Sequence, residues 1–229
     1  MKSIKHLLLI ILIFCFSGNI FPQKASPELD KVYGPDPLLF NGKKYDFFLP
    51  PGTGGHQFLV STNAINGGVS IKGIRFEHIK LNYDIYNQEL LLSYTDKEGS
   101  SSLIQISKAW LESFSLGEMV FENHDIKNGP RFYQVLGSGP LKVFYFWRKN
   151  FELDNGFGSE NFSFGSAKKI SYVFINGTLT PYRNKRGFFG IFEPDKKSAI
   201  KAYMRNARLK LKNADDKSIT NLINYISNL

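Results

Sequence analysis

Apolar and polar residues alternate along most of the chain, which is the pattern of β-strands with one buried face. In residues 141–148, Leu141, Val143, Tyr145 and Trp147 fall on one face, and the other face mixes aromatic with basic residues. Because both faces carry large apolar side chains, we expect this strand to lie centrally in a sheet with something covering both sides.

Three of the five Asn-Gly pairs in the sequence, at 41–42, 66–67 and 176–177, lie between apolar runs. Asn-Gly favours the two-residue hairpin turn, which needs positive φ at both central positions. Alternation and turns together predict strands at 45–49, 57–61, 69–76, 78–83, 89–94, 103–106, 109–114, 119–122, 131–136, 141–149, 170–175 and 178–182. Residues 153–166 are predicted as the longest loop. The expected fold is mostly β, an antiparallel β-sandwich or open barrel built from hairpins.

The pattern becomes helical near the C-terminus, where Pro194 suits the first turn of a helix. Apolar residues then recur at steps of three and four, namely Ile200, Tyr203, Met204, Ala207 and Leu211. A second helix is predicted to start at Asp215 or Asp216 and to carry an apolar stripe of Ile219, Leu222, Ile223 and Ile226. We expect a single β-rich domain over 26–229, with these two helices, at about 194–229, packed on the sheet.

Residues 1–25 have the three parts of a secretory signal peptide. Lys2 and Lys5 precede an apolar run at 7–16, which is followed by the small or turn-forming residues at 17–19. The run is half of the roughly twenty residues that a membrane-spanning helix needs, so a cleaved signal is favoured over an anchor. We expect cleavage between 17 and 25, mature residue one within 18–26, and a mature chain without a transmembrane segment that works in the periplasm, at the cell surface or outside the cell.

The only cysteine, Cys15, lies within the predicted signal. It follows Phe14 rather than a run of small residues, which disfavours lipid attachment. The mature chain would therefore lack disulfides, thiolate nucleophiles and cysteine metal sites, and its stability must come from a packed core.

The formal net charge of +9 is concentrated in one segment. Residues 26–181 hold 15 basic and 16 acidic side chains, whereas residues 182–212 hold ten basic side chains against Glu193 and Asp195. On a helix, Lys197, Lys201, Arg205 and Arg208 would follow one another at steps of three and four. The candidate contacts to an anionic lipid or glycan surface are therefore Arg183, Lys185, Arg186, Lys197, Lys201, Arg205 and Arg208. The alternative is a solvated helix face that only keeps the protein soluble.

The sequence contains no motif that identifies a particular chemistry. His56, His78 and His124 are widely spaced and lack metal-ligand spacing. The Gly-rich loop at 50–56 lacks the Lys and the following helix of a phosphate cradle. Strand carboxylates could form the pair that glycoside hydrolysis needs, but no spacing selects a pair among Asp46, Glu77, Asp84, Glu112, Glu122 and Asp125. We therefore assign no catalytic, cofactor-binding or metal residue and expect no cofactor.

Two stretches carry a resemblance to a known group of proteins. They are the strand region IKGIRF (71–76), LNYDIY (81–86) and ELLL (89–92), and the tail AIKAYM (199–204) and LINYI (222–226). In these residues the chain resembles uncharacterised secreted or periplasmic β-rich proteins of Bacteroidota, over about half of the mature chain. The resemblance implies export and a β-rich fold followed by terminal helices.

The favoured hypothesis is an exported, non-enzymatic binding module of the bacterial envelope or exterior that binds an envelope component or a partner protein. One alternative is a secreted hydrolase acting on glycan or lipid. A second is binding to an anionic surface through the basic segment at 182–212. Nucleic acid is the least favoured partner, because export would separate the chain from most of it.

Overall fold

The structure, a computed structural model, describes residues 36–95, 99–125, 129–154 and 161–229. The predicted signal peptide and Cys15 lie outside these residues. The strands are β1 (Lys43–Lys44), β2 (Ile65–Ile71), β3 (Ile74–Asp84), β4 (Glu89–Thr95), β5 (Ser101–Gln105), β6 (Leu111–Leu116), β7 (Met119–Asp125), β8 (Pro130–Leu136), β9 (Leu141–Arg148), β10 (Phe151–Asp154), β11 (Asn161–Phe164), β12 (Lys168–Ile175) and β13 (Thr178–Tyr182). The helices are α1 (Lys185–Gly190), α2 (Pro194–Asn206) and α3 (Asp216–Ser227).

Eleven strands form one antiparallel sheet in the order β1-β5-β4-β3-β2-β6-β7-β8-β9-β12-β13, and β10 pairs with β11 in a separate hairpin. From β2 the chain runs to one end of the sheet through β3, β4 and β5. It then returns to β6, which pairs with the other side of β2 and continues to the opposite end. The prediction of a mostly antiparallel β-fold with two C-terminal helices is confirmed.

Of the three Asn-Gly pairs from which hairpins are predicted, one forms the predicted turn. Asn176 and Gly177 have φ of 48° and 80° and join β12 to β13. The pair at 66–67 instead lies inside β2, and the pair at 41–42 precedes β1 without a hairpin. Among these three pairs, the predicted turn is therefore correct at 176–177 only.

Several predicted strands differ from the structure. Residues 45–49 and 57–61 form no strand, although the amide of Tyr45 still donates to the carbonyl of Leu103 (2.8 Å). The predicted strand at 69–76 is two strands joined by a turn at Lys72 and Gly73, whose φ values are 50° and 75°. The predicted loop at 153–166 contributes to the hairpin of β10 and β11.

Both predicted helices are confirmed, but the apolar stripe predicted for the first is too long: α2 ends at Asn206, Ala207 is exposed, and Leu211 follows the left-handed turn at Arg208. Pro194 opens α2, and the carboxylate of Asp215 caps α3 by accepting the amide of Ser218 (2.7 Å). The stripe Ile219, Leu222, Ile223 and Ile226 is buried, as are Ile200 and Met204 of α2. The short helix α1 was not predicted; the side chain of Asn184 caps it by accepting the amide of Gly187 (2.8 Å).

Two apolar cores lie on the same face of the large sheet. The first core is formed mainly by residues of β2 to β8, such as Tyr83 and Phe114. The second lies between the strands β8, β9, β12 and β13 and the helices. Strand β8 joins them, because its alternate residues Phe132 and Leu136 belong to the first and second core respectively.

Strand β9 is central, between β8 and β12, as the sequence indicates. One of its faces, with Val143 and Tyr145, packs in the core beneath the helices. On the opposite face Phe144 is fully buried, but it is shielded by aromatic side chains of neighbouring strands, such as Phe174. The expected central position is therefore confirmed, whereas the expected cover on both sides is wrong for the described residues, because the helices pack on one face only and the side chains of neighbouring strands shield Phe144 on the other.

Among the residues that the structure describes, none of the helices is both long and apolar enough to cross a membrane.

Candidate functional site

A basic cleft of about 480 Å³ lies where the last strands of the sheet meet the helices. Its floor comes from β9, β12 and β13, and its walls come from the start of α1 and from the connection between α2 and α3. The cleft is lined by Tyr145, Lys169, Ser171, Tyr182, Arg183, Asn184, Lys185, Met204, Leu209, Lys210, Leu211 and Lys212.

Three hydroxyl groups form the floor of the cleft. Tyr145, Ser171 and Tyr182 are direct neighbours across β9, β12 and β13. Burial raises the pKa of Tyr182 to about 12, against the opposing effect of hydrogen bonds with Ser171 and Tyr145. Burial also raises the pKa of Tyr145, with smaller contributions from Tyr182 and Asp216. Both phenols therefore stay neutral at physiological pH and can offer hydrogen bonds without cancelling positive charge.

Lys169 brings a cation to the floor of the cleft. Its ammonium lies 3.7 Å from the ring centre of Tyr145 and 5.5 Å from that of Trp147. Partial loss of water lowers the pKa of Lys169, and the charge of Asp216 acts in the opposite direction. The aromatic rings hold the ammonium in place by cation–π attraction, which leaves its charge available to a ligand.

The exposed cations Arg183, Lys185, Lys210 and Lys212 form the rim. Arg183 follows β13 directly, and the cap at Asn184 turns the chain into α1 beside it. On the other wall, Arg208 adopts a left-handed φ of 51° after α2, and the amide of Leu209 donates to the carbonyl of Met204 (2.8 Å). This helix ending turns the chain back, so that Lys210 and Lys212 face the sheet.

No carboxylate lines the cleft among the residues described. The carboxylate that acts on Lys169 belongs to Asp216, which accepts a hydrogen bond from Gln134 (2.5 Å). Gln134 in turn accepts the indole N–H of Trp147 (2.7 Å). Asp216 thus ties the start of α3 to the sheet, and the five cations of the cleft lack an acidic partner on its walls.

Six of the seven predicted contact residues line three concavities of the structure. Arg183 and Lys185 line the basic cleft. Lys185, Arg186, Lys197 and Lys201 line a shallow groove of about 570 Å³ around Phe189. Arg208 lines a third groove, between α2 and α3, and Arg205 lines none of these three. These residues therefore line separate concavities, and their contact with an anionic surface stays a prediction.

Sequence reasoning missed Lys169, Lys210 and Lys212 as members of the site. Lys169 is far from the basic segment along the chain and reaches the cleft only through the pairing of β12 with β9 and β13. Lys210 and Lys212 belong to the basic segment, but their placement depends on the backbone turn after α2. Their charge was visible in the sequence, and their convergence was not.

Other groups considered from the sequence are engaged within the fold. Asp84 is fully buried and accepts hydrogen bonds from Tyr45 and Asn87. In the Gly-rich loop, the carbonyl of His56 accepts a hydrogen bond from the ammonium of Lys149 (2.7 Å). Burial is the larger cause that lowers the pKa of the His56 ring, and the charge of Lys149 lowers it further. Within the described ranges, no group of three His, Cys, Asp or Glu side chains could hold a metal ion.

Comparison of the chain with family models, with curated proteins and with solved structures finds no match. The site is therefore interpreted from its own geometry.

Proposed function

We propose that this protein is an exported, non-enzymatic binding module whose ligand carries a phosphate or carboxylate group and binds in the basic cleft. The observation that carries the proposal is the convergence of Lys169, Arg183, Lys185, Lys210 and Lys212 on one concavity without an acidic side chain on its described walls. Such an arrangement concentrates positive potential, because low-dielectric walls focus the field of the charges that line them.

The cleft supports binding rather than catalysis. Its hydroxyl groups belong to Ser171 and to two tyrosines, Tyr145 and Tyr182, whose pKa values burial raises. General acid and base catalysis works best with a group that titrates near the operating pH, usually a histidine or a tuned carboxylate. The described lining contains neither.

The size of the cleft favours a compact anionic group over a flat surface. A volume of about 480 Å³ lies within the range of roughly 300–1,000 Å³ typical of small-ligand sites. Lys169 at the floor would contact the inner end of the ligand, and the rim cations would contact its outer oxygens. A phosphorylated sugar and the headgroup of an anionic lipid both present this chemistry.

A charge-reversal experiment tests the proposal. The cleft variant is Arg183→Glu, Lys210→Glu, Lys212→Glu, and the matched control is Lys201→Glu, Arg205→Glu, Arg208→Glu, which changes the net charge equally outside the cleft. Binding is measured by amide chemical-shift titration with glucose 1-phosphate and by sedimentation with vesicles of phosphatidylglycerol or of phosphatidylcholine. Each series is run from low salt to 1 M, where the Debye length falls to about 3 Å.

We expect the wild type to bind a phosphate-bearing probe and the cleft variant to lose at least tenfold in affinity, because each lost cation removes a charge-assisted hydrogen bond. The control variant should keep most of the binding. Binding to glucose 1-phosphate alone would identify a free sugar phosphate, and binding to phosphatidylglycerol alone a lipid headgroup. Equal losses in the two variants would show that only net charge matters and would overturn the proposal.

A further inference from the structure

A second surface lies on the face of the sheet opposite the two cores. It consists of five aromatic side chains from three adjacent strands, which we name the aromatic platform: Tyr133 of β8, Phe144 and Phe146 of β9, and Tyr172 and Phe174 of β12. Register places Tyr172 directly opposite Phe144, and Val135 opposite Phe144 on the other side. None of the five belongs to either apolar core.

The helices leave this face open. They pack on the other face of the same strands, where Tyr182 contacts Phe188 and a side chain at Gly137 would collide with Ile223. On the platform, Phe146, Tyr172 and Phe174 remain partly exposed. Partly exposed aromatic residues gathered on one sheet face form an apolar patch of the kind that marks interaction sites.

The rings of the platform pack mainly against one another. Phe144 and Phe174 are stacked with ring centres 4.8 Å apart and an interplanar angle of 9°. Tyr133 stacks on Phe144 at 5.6 Å and meets Tyr172 edge to face at 5.9 Å. The accessible surface is therefore a mixture of ring edges and partial ring faces.

Positive charge is unbalanced at one end of the platform. Arg148 and Lys168 are exposed and directly opposite each other in the register of β9 and β12, on the platform face. Like charges in such a pair repel, and in the described part of the chain neither side chain forms an ion pair. The guanidinium of Arg131 lies 5.3 Å from the ring centre of Phe146 and adds a third cation.

The other end of the platform is electrically balanced. There the carboxylate of Glu122 forms an ion pair with the ammonium of Lys142 (3.0 Å) and contacts the ring nitrogen of His124 (2.8 Å). The two ends of the platform therefore differ in charge. The apolar rings lie in the middle, and the cations without an ion pair among the described residues lie at one end only.

We propose that the aromatic platform binds a segment of an acidic polysaccharide. The C–H faces of sugar rings would pack on Phe146, Tyr172 and Phe174, and the carboxylate or sulfate groups of the chain would lie between Arg148 and Lys168. An anion at that position removes the repulsion between the two cations, so the charge pattern and the ligand are complementary.

The area of the platform favours a glycan over a second copy of this chain. Three strands about 4.8 Å apart, followed over six residues of about 3.3 Å each, cover on the order of 300 Å². A stable protein interface buries about 800 Å² on each partner. The platform has the dimensions of a few sugar rings in an extended chain. Such a chain can bind to an open surface without a cavity.

Ring packing also disfavours single-stranded nucleic acid. Bases bind by stacking on free aromatic faces, whereas Phe144 and Phe174 turn their faces toward each other and Arg131 lies over Phe146. The few C–H groups on one side of a sugar ring need only part of an aromatic face, and Phe146, Tyr172 and Phe174 are partly exposed.

Binding to defined oligosaccharides tests this inference on the full exported chain. Isothermal titration compares a galacturonate hexamer, a neutral glucose hexamer and an oligo-dT strand. The charge variant is Arg148→Glu, Lys168→Glu, and the aromatic variant is Phe146→Ala, Tyr172→Ala. The control is Lys72→Glu, Trp110→Ala, which removes another exposed cation and aromatic pair (3.8 Å from ammonium to ring centre) in turns outside the platform.

We expect the wild type to bind the galacturonate hexamer at least tenfold more tightly than the glucose hexamer. Each platform variant should lose at least tenfold, whereas the control and the cleft variant of the previous section should retain binding, so that the two sites succeed or fail separately. The charge variant changes only exposed residues, so its result is decisive even if the aromatic variant folds poorly. Unchanged binding in the charge variant, loss in the cleft variant only, or tighter binding of oligo-dT would overturn the inference.

Discussion

Asp84 shows how one buried side chain can hold separate segments of the chain together. One carboxylate oxygen accepts the amides of Tyr86 (2.9 Å) and Asn87 (2.8 Å) in the turn between β3 and β4. The other accepts the hydroxyl of Tyr45 (2.5 Å) and the side-chain amide of Asn87 (2.8 Å). The segment around Tyr45, which forms no strand, is thereby attached to the sheet.

Replacing Asp84 should therefore destabilise the protein strongly. Asp84→Ala would leave these donors without their acceptor, at a cost of about 3 kcal/mol. Asp46→Ala, an exposed site in the neighbouring segment, serves as the control and should change stability by less than about 0.5 kcal/mol. Urea denaturation measures both values, and similar midpoints for the two variants would contradict the structural role.

Glu122 should make stability depend on pH. The hydrogen bond from His124 lowers its pKa below the ordinary value of 4.5, burial opposes this, and Lys142 lowers it further. A lowered pKa in the folded state stabilises the protein above the unfolded-state pKa, and this stabilisation is lost as the pH falls through the folded-state value.

The difference in Tm between the wild type and Glu122→Gln should thus be largest near neutral pH. It should shrink as the pH falls below 4.5, because protonated Glu122 and glutamine are then both neutral. Thermal unfolding at a series of pH values measures this difference. A difference that stays constant from neutral to acidic pH would show that the ionised carboxylate contributes no stability.

At the scale of elements, the terminal helix α3 is part of the fold through Ile223. This residue is fully buried, and its side chain fills the space above Gly137, where an added Cβ would lie 2.5 Å from Ile223 Cγ2. Gly137 has a φ of 90°, which favours glycine at this contact.

Ile223→Asp should cost roughly 3–5 kcal/mol, because it places an unpaired charge in the second core. Asn224→Asp adds the same charge to an exposed position of the same helix and should be nearly neutral. Chemical denaturation monitored by circular dichroism compares the two. An unchanged midpoint for Ile223→Asp would mean that the helix does not contribute to the folded state.

Some elements of the fold could be predicted from the sequence and others could not. The helices α2 and α3 were predicted because Pro194 and Asp215 signal their starts and the apolar stripes are one-sided. The helix α1 was missed because six residues with an internal Gly187 carry too little periodicity. The segment at 45–49 alternates like a strand, but most of its backbone finds no neighbouring strand.

At the scale of the whole molecule, the two cores share one sheet and should unfold together. Phe114→Ala in the first core and Ile223→Asp in the second should both lower the midpoint of a single transition, by amounts typical of core truncation and charge burial. Circular dichroism and tryptophan fluorescence should give coincident curves. Two separated transitions would instead indicate that the cores form independent domains.

Export remains a prediction that concerns residues outside the described structure. Protein isolated from the native host's envelope or medium should begin within residues 18–26 and carry no acyl group, because the apolar run at 7–16 is too short to span a membrane. Intact-mass measurement tests this. A retained Met1 would contradict cleavage, and lipid on Cys15 would place the protein on a membrane surface.

The sequence alone determined the class of the fold, the two terminal helices and the location of excess charge, because periodicity, caps and composition are local properties. Only the tertiary structure decided which cations converge. Lys169 joins Arg183 and Lys210 because strand pairing and a left-handed turn at Arg208 bring distant residues together. The same strand pairing sets Arg148 opposite Lys168. Binding sites depend on such long-range register, which no local pattern encodes.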